Sequence, residues 1–169
     1  VAVNLEPGFG RIDDYAPIVA QAVERVRSAT GRAPLVVAHS MGGLAVRRWL
    51  ARCDQSDAVE HVFTIGSPHH GTWLARFGHT PNGMQMRRAN DWLIGLCRDE
   101  RAPYARFTCF YSHCDNIVFP PSTATLPGAD NRHVAGSAHV HLAFQPEVFE
   151  AVWSRLSSAS NSGMPATRA

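Results

Sequence analysis

Short apolar runs alternate with stretches of helical spacing over the first third of the chain. Val1–Leu5 predicts a strand, and Glu6–Gly10 the loop that follows it. The next element is predicted to be a helix ended by Gly31, because its apolar residues recur every three or four positions: Ile18, Val19, Ala22, Val23 and Val26. Leu35–Ala38 predicts the next strand. A second helix follows it, with apolar positions at Leu44, Val46, Trp49 and Leu50.

The same alternation continues towards the end of the chain. Val59–Ile65 and Arg106–Tyr111 are predicted strands, and His133–Ala135 is a short third one. A terminal helix begins at Pro146, with apolar positions at Val148, Phe149, Val152, Trp153 and Leu156. Strands that alternate with helices predict an α/β fold, in which helices cover both faces of a mostly parallel sheet. We expect one domain over residues 1–157 and a disordered Ser/Ala/Gly/Pro-rich tail over 158–169.

The segment His69–Glu100 interrupts this alternation, because it shows little periodicity before Trp92. It is rich in Gly, Asn, Met, Trp and Arg. Two interpretations of its large apolar residues stay open: an apolar cap over a site, or ordinary packing of a long excursion on the sheet. The residues concerned are Trp73, Phe77, Met84, Met86, Trp92, Leu93 and Ile94.

Composition excludes several classes of protein. The 169 residues are 45% hydrophobic and carry a formal net charge of +2. All 16 basic residues are arginines scattered along the chain, which gives no electrostatic case for nucleic acid or an anionic membrane surface. No apolar stretch is long enough to be a transmembrane segment. The four cysteines form no C-x-x-C pair, and we expect reduced thiols, with a Cys109–Cys114 disulfide as the alternative.

The strongest chemical signal is the sequence Leu35-Val36-Val37-Ala38-His39-Ser40-Met41-Gly42-Gly43. A short apolar run delivers one serine among small residues to the start of a helix, which is how a nucleophile elbow is built. The usual pattern is G-x-S-x-G, and Ala38 replaces its first glycine. Backbone N–H groups at the helix N-terminus lie where negative charge would develop. The other interpretation is an ordinary turn in which Ser40 caps the helix.

A serine nucleophile needs a base, and the base needs an orienting carboxylate. Asp115 follows the strand that ends at Tyr111, and both His139 and His141 follow the next strand. The order Ser, Asp, His is the one expected for this sheet architecture. From the residues alone, either histidine can be the base.

These three motifs resemble those of the α/β-hydrolase superfamily. The elbow Ala38-His39-Ser40-Met41-Gly42-Gly43 is similar to that of small bacterial lipases and esterases, which also have alanine first. The resemblance extends to Tyr111-Ser112 with Asp115 and Ile117-Val118, and to Gly136 with His139. It covers most of residues 1–157 and implies the α/β-hydrolase fold. It also implies Ser40 as nucleophile, Asp115 as acid and His139 as base.

The remaining histidines have other expected places. In the resembling family the residue at His39 packs under the nucleophile, and His113 is expected to shape the loop of the acid. His69 and His70 are candidates to line the mouth of the site. A metal site formed by them is disfavoured, because no carboxylate or cysteine lies nearby at ligand spacing.

The resemblance also implies where the oxyanion is held. One donor is the backbone N–H of Met41, and the other is an N–H from a His-Gly loop after an earlier strand. No such loop precedes Val1, so the second donor is expected to be missing from this chain, together with a strand between Val1–Leu5 and Leu35–Ala38. The first residue is not methionine, and we expect an N-terminally truncated hydrolase. A cytoplasmic and an envelope-associated location are both compatible with the sequence.

The predicted function is hydrolysis of carboxylic esters, small-molecule or lipid, through an acyl-enzyme and without a cofactor. His70 and Trp73 are the predicted substrate-binding residues. A thioesterase or acyltransferase would use the same catalytic residues. The alternative from another class is a non-catalytic or inactive module with the hydrolase fold.

Overall fold

Four parallel strands form the central sheet and lie in chain order. In the computed structural model, residues 1–53, 57–99 and 104–161 are described, with side chains as far as residue 158. The strands are β1 (Leu35–His39), β2 (His61–Ile65), β3 (Phe107–Tyr111) and β4 (Asp130–His133). Each pairs in parallel with the next, so the predicted parallel sheet is confirmed.

Helices flank these strands. They are α1 (Ile12–Thr30), α2 (Met41–Arg52), α3 (Pro81–Gln85), α4 (Asp91–Asp99), α5 (His139–Leu142) and α6 (Pro146–Asn161). Short 3₁₀ helices cover Trp73–Phe77, Tyr104–Arg106 and Pro121–Ala124. As predicted, α1 ends at Gly31, whose left-handed φ of 67° allows its N–H to donate to the Arg27 carbonyl.

Neighbouring residues of β2 enter two different apolar clusters. Val62 belongs to a cluster that contains residues of α1, α2 and α4. Phe63 belongs to a second cluster, which contains Leu142 of α5 and Val148 of α6. Because successive side chains of a strand point to opposite faces of a sheet, the two clusters lie on opposite faces. Helices therefore cover both faces, as predicted.

The prediction of a strand at Val1–Leu5 is wrong. This segment has no regular secondary structure, and of the described strands only β2 pairs with β1. Val1, Val3 and Leu5 instead line an apolar groove of about 510 Å³ together with residues of α1 and β1. An extended segment becomes a strand only through a hydrogen-bonded partner, and this segment makes no ladder with β1.

Two other boundaries differ from the prediction. The last strand is Asp130–His133 instead of His133–Ala135. Its side chains are polar and exposed, so hydrophobic spacing does not reveal it, and its pairing with β3 is made by the backbone. The terminal helix α6 starts at Pro146 as predicted and continues to Asn161, four residues into the predicted tail. Residues 162–169 lie outside the described residues.

Asp13 in the first turn of α1 holds the excursion 69–99 against the rest of the fold. Its Oδ2 accepts hydrogen bonds from Gln85 Nε2 at 2.7 Å and Trp92 Nε1 at 2.8 Å, and its Oδ1 accepts one from Arg48 Nε at 2.7 Å. Leu93 is buried, as the packing interpretation predicts. Other apolar residues of the excursion are exposed: Trp73, Leu74, Phe77, Met84 and Ile94. The excursion thus has one packed face and one apolar face open to solvent.

Candidate active site

Ser40 occupies a sharp turn between β1 and α2. Its φ of 53° and ψ of −129° are rare for a residue with a side chain, and such strain persists only where the surroundings hold it. The Ser40 N–H donates to the Ile65 carbonyl at 2.9 Å, so the turn is tied to the end of β2. This is the local geometry predicted for a nucleophile elbow, and it leaves the Ser40 hydroxyl outside the backbone hydrogen bonds of the turn.

Three predicted site residues meet at the carboxyl ends of the strands. Ser40 Oγ lies 2.9 Å from His139 Nε2. The other ring nitrogen of His139, Nδ1, lies 2.9 Å from Asp115 Oδ2 and 3.1 Å from Oδ1. The sequence positions are far apart, and the fold alone brings them together. The result is a continuous hydrogen-bonded chain from hydroxyl through imidazole to carboxylate.

Asp115 is buried and kept ionised by its donors. Burial by itself raises the pKa of this carboxyl, but the hydrogen bond from His139 and those from the backbone N–H groups of Val118 and Ile117 outweigh it. Both backbone N–H groups reach Asp115 Oδ1 at 2.8 Å. The pKa of Asp115 is therefore lowered, which suits a group that must remain a hydrogen-bond acceptor.

His139 is held by contacts on several sides. It is the first residue of α5, and its N–H donates to Asn116 Oδ1 at 3.2 Å. Its carbonyl lies 3.2 Å from His39 Nε2, and the two imidazole rings are 4.8 Å apart. His39, the last residue of β1, therefore packs beside the histidine of the site. The other candidate base, His141, is exposed.

Two residues of the site were missed by sequence reasoning. Asn116 looked like any loop residue, although an Asn beside the predicted acid was a signal for a positioning role. Gly66 has a φ of 54°, and a Cβ there would lie 3.1 Å from both Asp115 Oδ2 and His139 Nδ1. A side chain at this position would press on the Asp–His pair and would also have to adopt a left-handed backbone conformation, so glycine suits both demands. The Gly66-Ser67-Pro68 turn after β2 predicted a loop but not this contact.

The other histidines separate into buried and exposed positions. His69 does not line the mouth of the site, because it is fully buried with Nε2 3.0 Å from Thr64 Oγ1. Its carbonyl accepts a hydrogen bond from the buried Arg47 at 2.8 Å. His70 is exposed and lines a groove together with Trp73. His113 lies in the turn between the end of β3 and Asp115, and its ring centroid is 4.3 Å from that of His133.

The described part of the chain holds neither a metal-binding cluster nor a membrane-spanning helix. Within residues 1–53, 57–99 and 104–161, no group of three or more His, Cys, Asp or Glu side chains is arranged to hold a metal ion. Over the same ranges, no helix combines the length and apolar character needed to cross a bilayer. All four cysteines are free, as expected, and burial raises the pKa of the Cys109 thiol to about 11.

Several solved structures of other proteins are similar to the structure of this chain. No protein-family profile matches the chain. The mature form of the Bacillus licheniformis lipase BlEst2 matches it with a TM-score of 0.71 and 16% identity, over 87% of this chain and 74% of that one. Aspergillus fumigatus lipase B matches with a TM-score of 0.60 and 23% identity, over 75% and 34%. A monoacylglycerol lipase from Paleococcus ferrophilus matches with a TM-score of 0.58 and 14% identity, over 89% and 75%.

These similarities show that the chain has the α/β-hydrolase fold, as the resemblance of its motifs implied. The structural neighbours are lipases and hydrolases at low sequence identity. A shared fold hosts many reactions, so the reaction has to be argued from the residues of this site.

Buried histidines make the stability of this protein sensitive to acid. Burial lowers the pKa of His39, His61 and His69 below the ordinary value of 6.5, and that of His69 far below it. For His69, the nearby charges of Arg47 and His70 act in the same direction as burial. Below pH 6.5 these three histidines bind more protons in the unfolded chain than in the folded chain, so their contribution to folding stability falls as the pH falls.

We expect the free energy of unfolding, measured by urea titration, to decrease from about pH 7 to about pH 5. The fully buried His69 alone contributes up to about 1.4 kcal/mol per pH unit. The lowered pKa values of Asp13 and Asp115 add a second loss, which begins only below the ordinary carboxyl value of 3.8. An unfolding free energy that stays constant between about pH 7 and about pH 5 would contradict the conclusion that these histidines are buried in their neutral form.

Proposed function

We propose that this protein is a serine hydrolase that cleaves carboxylic esters through an acyl-enzyme. The observation that carries the proposal is the hydrogen-bonded chain from Ser40 through His139 to Asp115. An ordinary serine cap would leave the hydroxyl directed at the helix backbone, but Ser40 makes no side-chain capping hydrogen bond to α2. Its hydroxyl faces the imidazole instead.

Each residue has a defined role in this reaction. His139 accepts the proton of Ser40 Oγ as that oxygen attacks the acyl carbon, and later returns the proton to the leaving alcohol. Asp115 holds the Nδ1–H tautomer and stabilises the imidazolium. Water, activated by the same imidazole, then attacks the acyl-enzyme and releases the acid.

Met41 is the proposed oxyanion donor. It is the first residue of α2, so its backbone N–H has no carbonyl partner within the helix. The N-terminal end of the helix also favours negative charge at this position. The N–H is therefore available to the oxygen that becomes negative during attack.

The substrate class follows from the similar structures, which include lipases. His70 and Trp73, the predicted substrate-binding residues, line a groove that none of Ser40, Asp115 and His139 lines. A carboxylic ester with an apolar acyl group is the proposed substrate.

Covalent labelling tests the nucleophile directly. A fluorophosphonate should modify the wild-type protein at Ser40, because an activated serine attacks phosphorus as it attacks an acyl carbon. Peptide mass spectrometry locates the modified residue. Ser40→Ala should abolish labelling, and Ser67→Ala should not, since Ser67 is a buried serine close in the fold that has no base beside it. Labelling of Ser40→Ala at another serine would refute the assignment.

A further inference from the structure

The groove lined by His70 and Trp73 lies between the 3₁₀ helix Trp73–Phe77 and α4. Its volume is about 870 Å³. Its apolar lining comes from Trp73 of the 3₁₀ helix and from Leu93 and Ile94 of α4. Trp73 and Ile94 are 51% and 40% exposed, and Phe77 just outside the groove is 71% exposed. Large apolar side chains that are exposed together in this way are typical of an interaction site.

Four arginines surround the same groove: Arg76, Arg87, Arg88 and Arg98. The guanidinium groups of Arg76 and Arg88 lie 5.9 Å and 5.8 Å from the centre of the Trp73 ring. Arg87 is fixed by hydrogen bonds to the carbonyls of Ala75 and Gly78. The fold thus brings Arg76 and Arg88, twelve positions apart in sequence, to the same tryptophan ring.

No carboxylate balances this charge within the groove. Among the residues that line it, all of which lie in the described ranges, none is Asp or Glu. The nearest acid on α4 in sequence to Arg98 is Asp99, which pairs with Arg48 instead. Arginines that surround an apolar surface without acidic partners favour a ligand with an anionic group next to a hydrocarbon chain.

We propose that this groove binds an anionic phospholipid at a bilayer surface. The phosphate lies among the arginines, and the first part of an acyl chain lies against Trp73 and Ile94. Tryptophan and arginine are both suited to the headgroup region of a bilayer, where the charged groups of the lipid meet its hydrocarbon chains. The overall net charge of +2 does not reveal the site, because acidic residues elsewhere offset its local charge.

The groove is structurally joined to the loop that carries Asp115. Thr72 Oγ1 donates to the Ile117 carbonyl at 2.6 Å, and the Trp73 N–H donates to the Phe119 carbonyl at 2.9 Å. Ile117 in turn donates its N–H to Asp115. Lipid bound in the groove would therefore lie on the side of the protein formed by the loops of the candidate active site.

Co-sedimentation with vesicles tests the proposal independently of hydrolysis if Ser40→Ala is used as the parent protein. We expect it to bind vesicles of phosphatidylcholine mixed with phosphatidylglycerol, and to bind pure phosphatidylcholine much more weakly. Arg76→Gln/Arg88→Gln should lower the partition coefficient by about 25-fold, since each basic residue near an anionic surface contributes about fivefold. Trp73→Ala should also lower it, through lost apolar contact.

Matched controls separate the groove from general charge. Arg25→Gln/Arg155→Gln removes the same charge from exposed positions on α1 and α6, and Trp153→Ala removes a tryptophan of α6 that is more exposed than Trp73, at 71% against 51%. Both should bind like the parent. Equal binding to the two kinds of vesicle, or equal losses in the control variants, would overturn the proposal. Tighter binding of a single-stranded oligonucleotide that depends on Arg76 and Arg88 would overturn it in favour of nucleic acid.

Discussion

His139→Ala should lower kcat for a p-nitrophenyl ester by about 10⁴- to 10⁶-fold, the range seen when a triad base is removed. Without the imidazole, nothing within hydrogen-bonding distance of Ser40 Oγ in the described structure accepts its proton. His141→Ala is the matched control. It alters a histidine two positions away on the same short helix, and we expect it to change kcat by no more than a few-fold because His141 is exposed.

The carboxylate should matter almost as much as the base. Asp115→Asn keeps the size of the side chain but presents an amide to His139 Nδ1, which favours the wrong tautomer, and we expect a loss of about 10⁴-fold in kcat. KM should change little, because Asp115 is buried behind the imidazole. Initial-rate kinetics on His139→Ala, His141→Ala and Asp115→Asn give kcat and KM for each variant.

If His141→Ala is inactive and His139→Ala remains active, the base is His141 and not His139.

The elements that sequence predicted correctly are those whose signal is local. Gly31 ends α1 because its own backbone adopts a left-handed conformation, and the elbow forms where an apolar strand meets a serine and small residues. The prediction of a strand at Val1–Leu5 was wrong because strand formation is not a local property. The alternating apolar residues of this segment are compatible with a strand, but whether a strand forms depends on a partner elsewhere in the chain.

The same distinction applies to the candidate site. Ser40, Asp115 and His139 could be selected from motifs, since each motif carries its chemistry in a few adjacent residues. Gly66 could not, because its importance lies in the space that Asp115 and His139 need. The grouping of Arg76 and Arg88 around Trp73 likewise depends on how the excursion folds back on itself. Contacts of this kind are decided by packing between distant segments.

Gly42 and Gly43 show that the glycine named by a sequence motif is not always the one that packing requires. The motif G-x-S-x-G assigns the requirement for a small residue to Gly42, but a Cβ there would lie 3.7 Å from Ala38 Cβ, which is an ordinary contact. A Cβ on Gly43 would lie 2.7 Å from Ser67 Cβ and closer still to Ser67 Oγ. Gly43 therefore lets the first turn of α2 approach the loop after β2, the same loop in which Gly66 makes room for the Asp–His pair.

Gly43→Ala should destabilise the protein by about 1–3 kcal/mol, the usual cost of overpacking a well-packed interior. Any shift of α2 that relieves the contact also moves Ser40 away from His139, so kcat should fall on the order of 10²-fold. Gly42→Ala is the control. It meets only an ordinary contact and gains helix propensity, so its free energy of unfolding should equal or exceed that of the wild type.

A compensating change distinguishes steric contact from a general intolerance of alanine. Ser67 Oγ has no hydrogen-bond partner among the described residues, so Ser67→Gly removes the obstructing atoms without breaking a hydrogen bond. The double variant Gly43→Ala/Ser67→Gly should therefore be more stable than Gly43→Ala and recover part of its activity, although Ser67→Gly alone costs about 0.5–1 kcal/mol in backbone entropy. Urea titrations of the four proteins measure the coupling. If Gly43→Ala and Gly42→Ala unfold at the same urea concentration, α2 does not depend on this close approach to hold Ser40 beside His139.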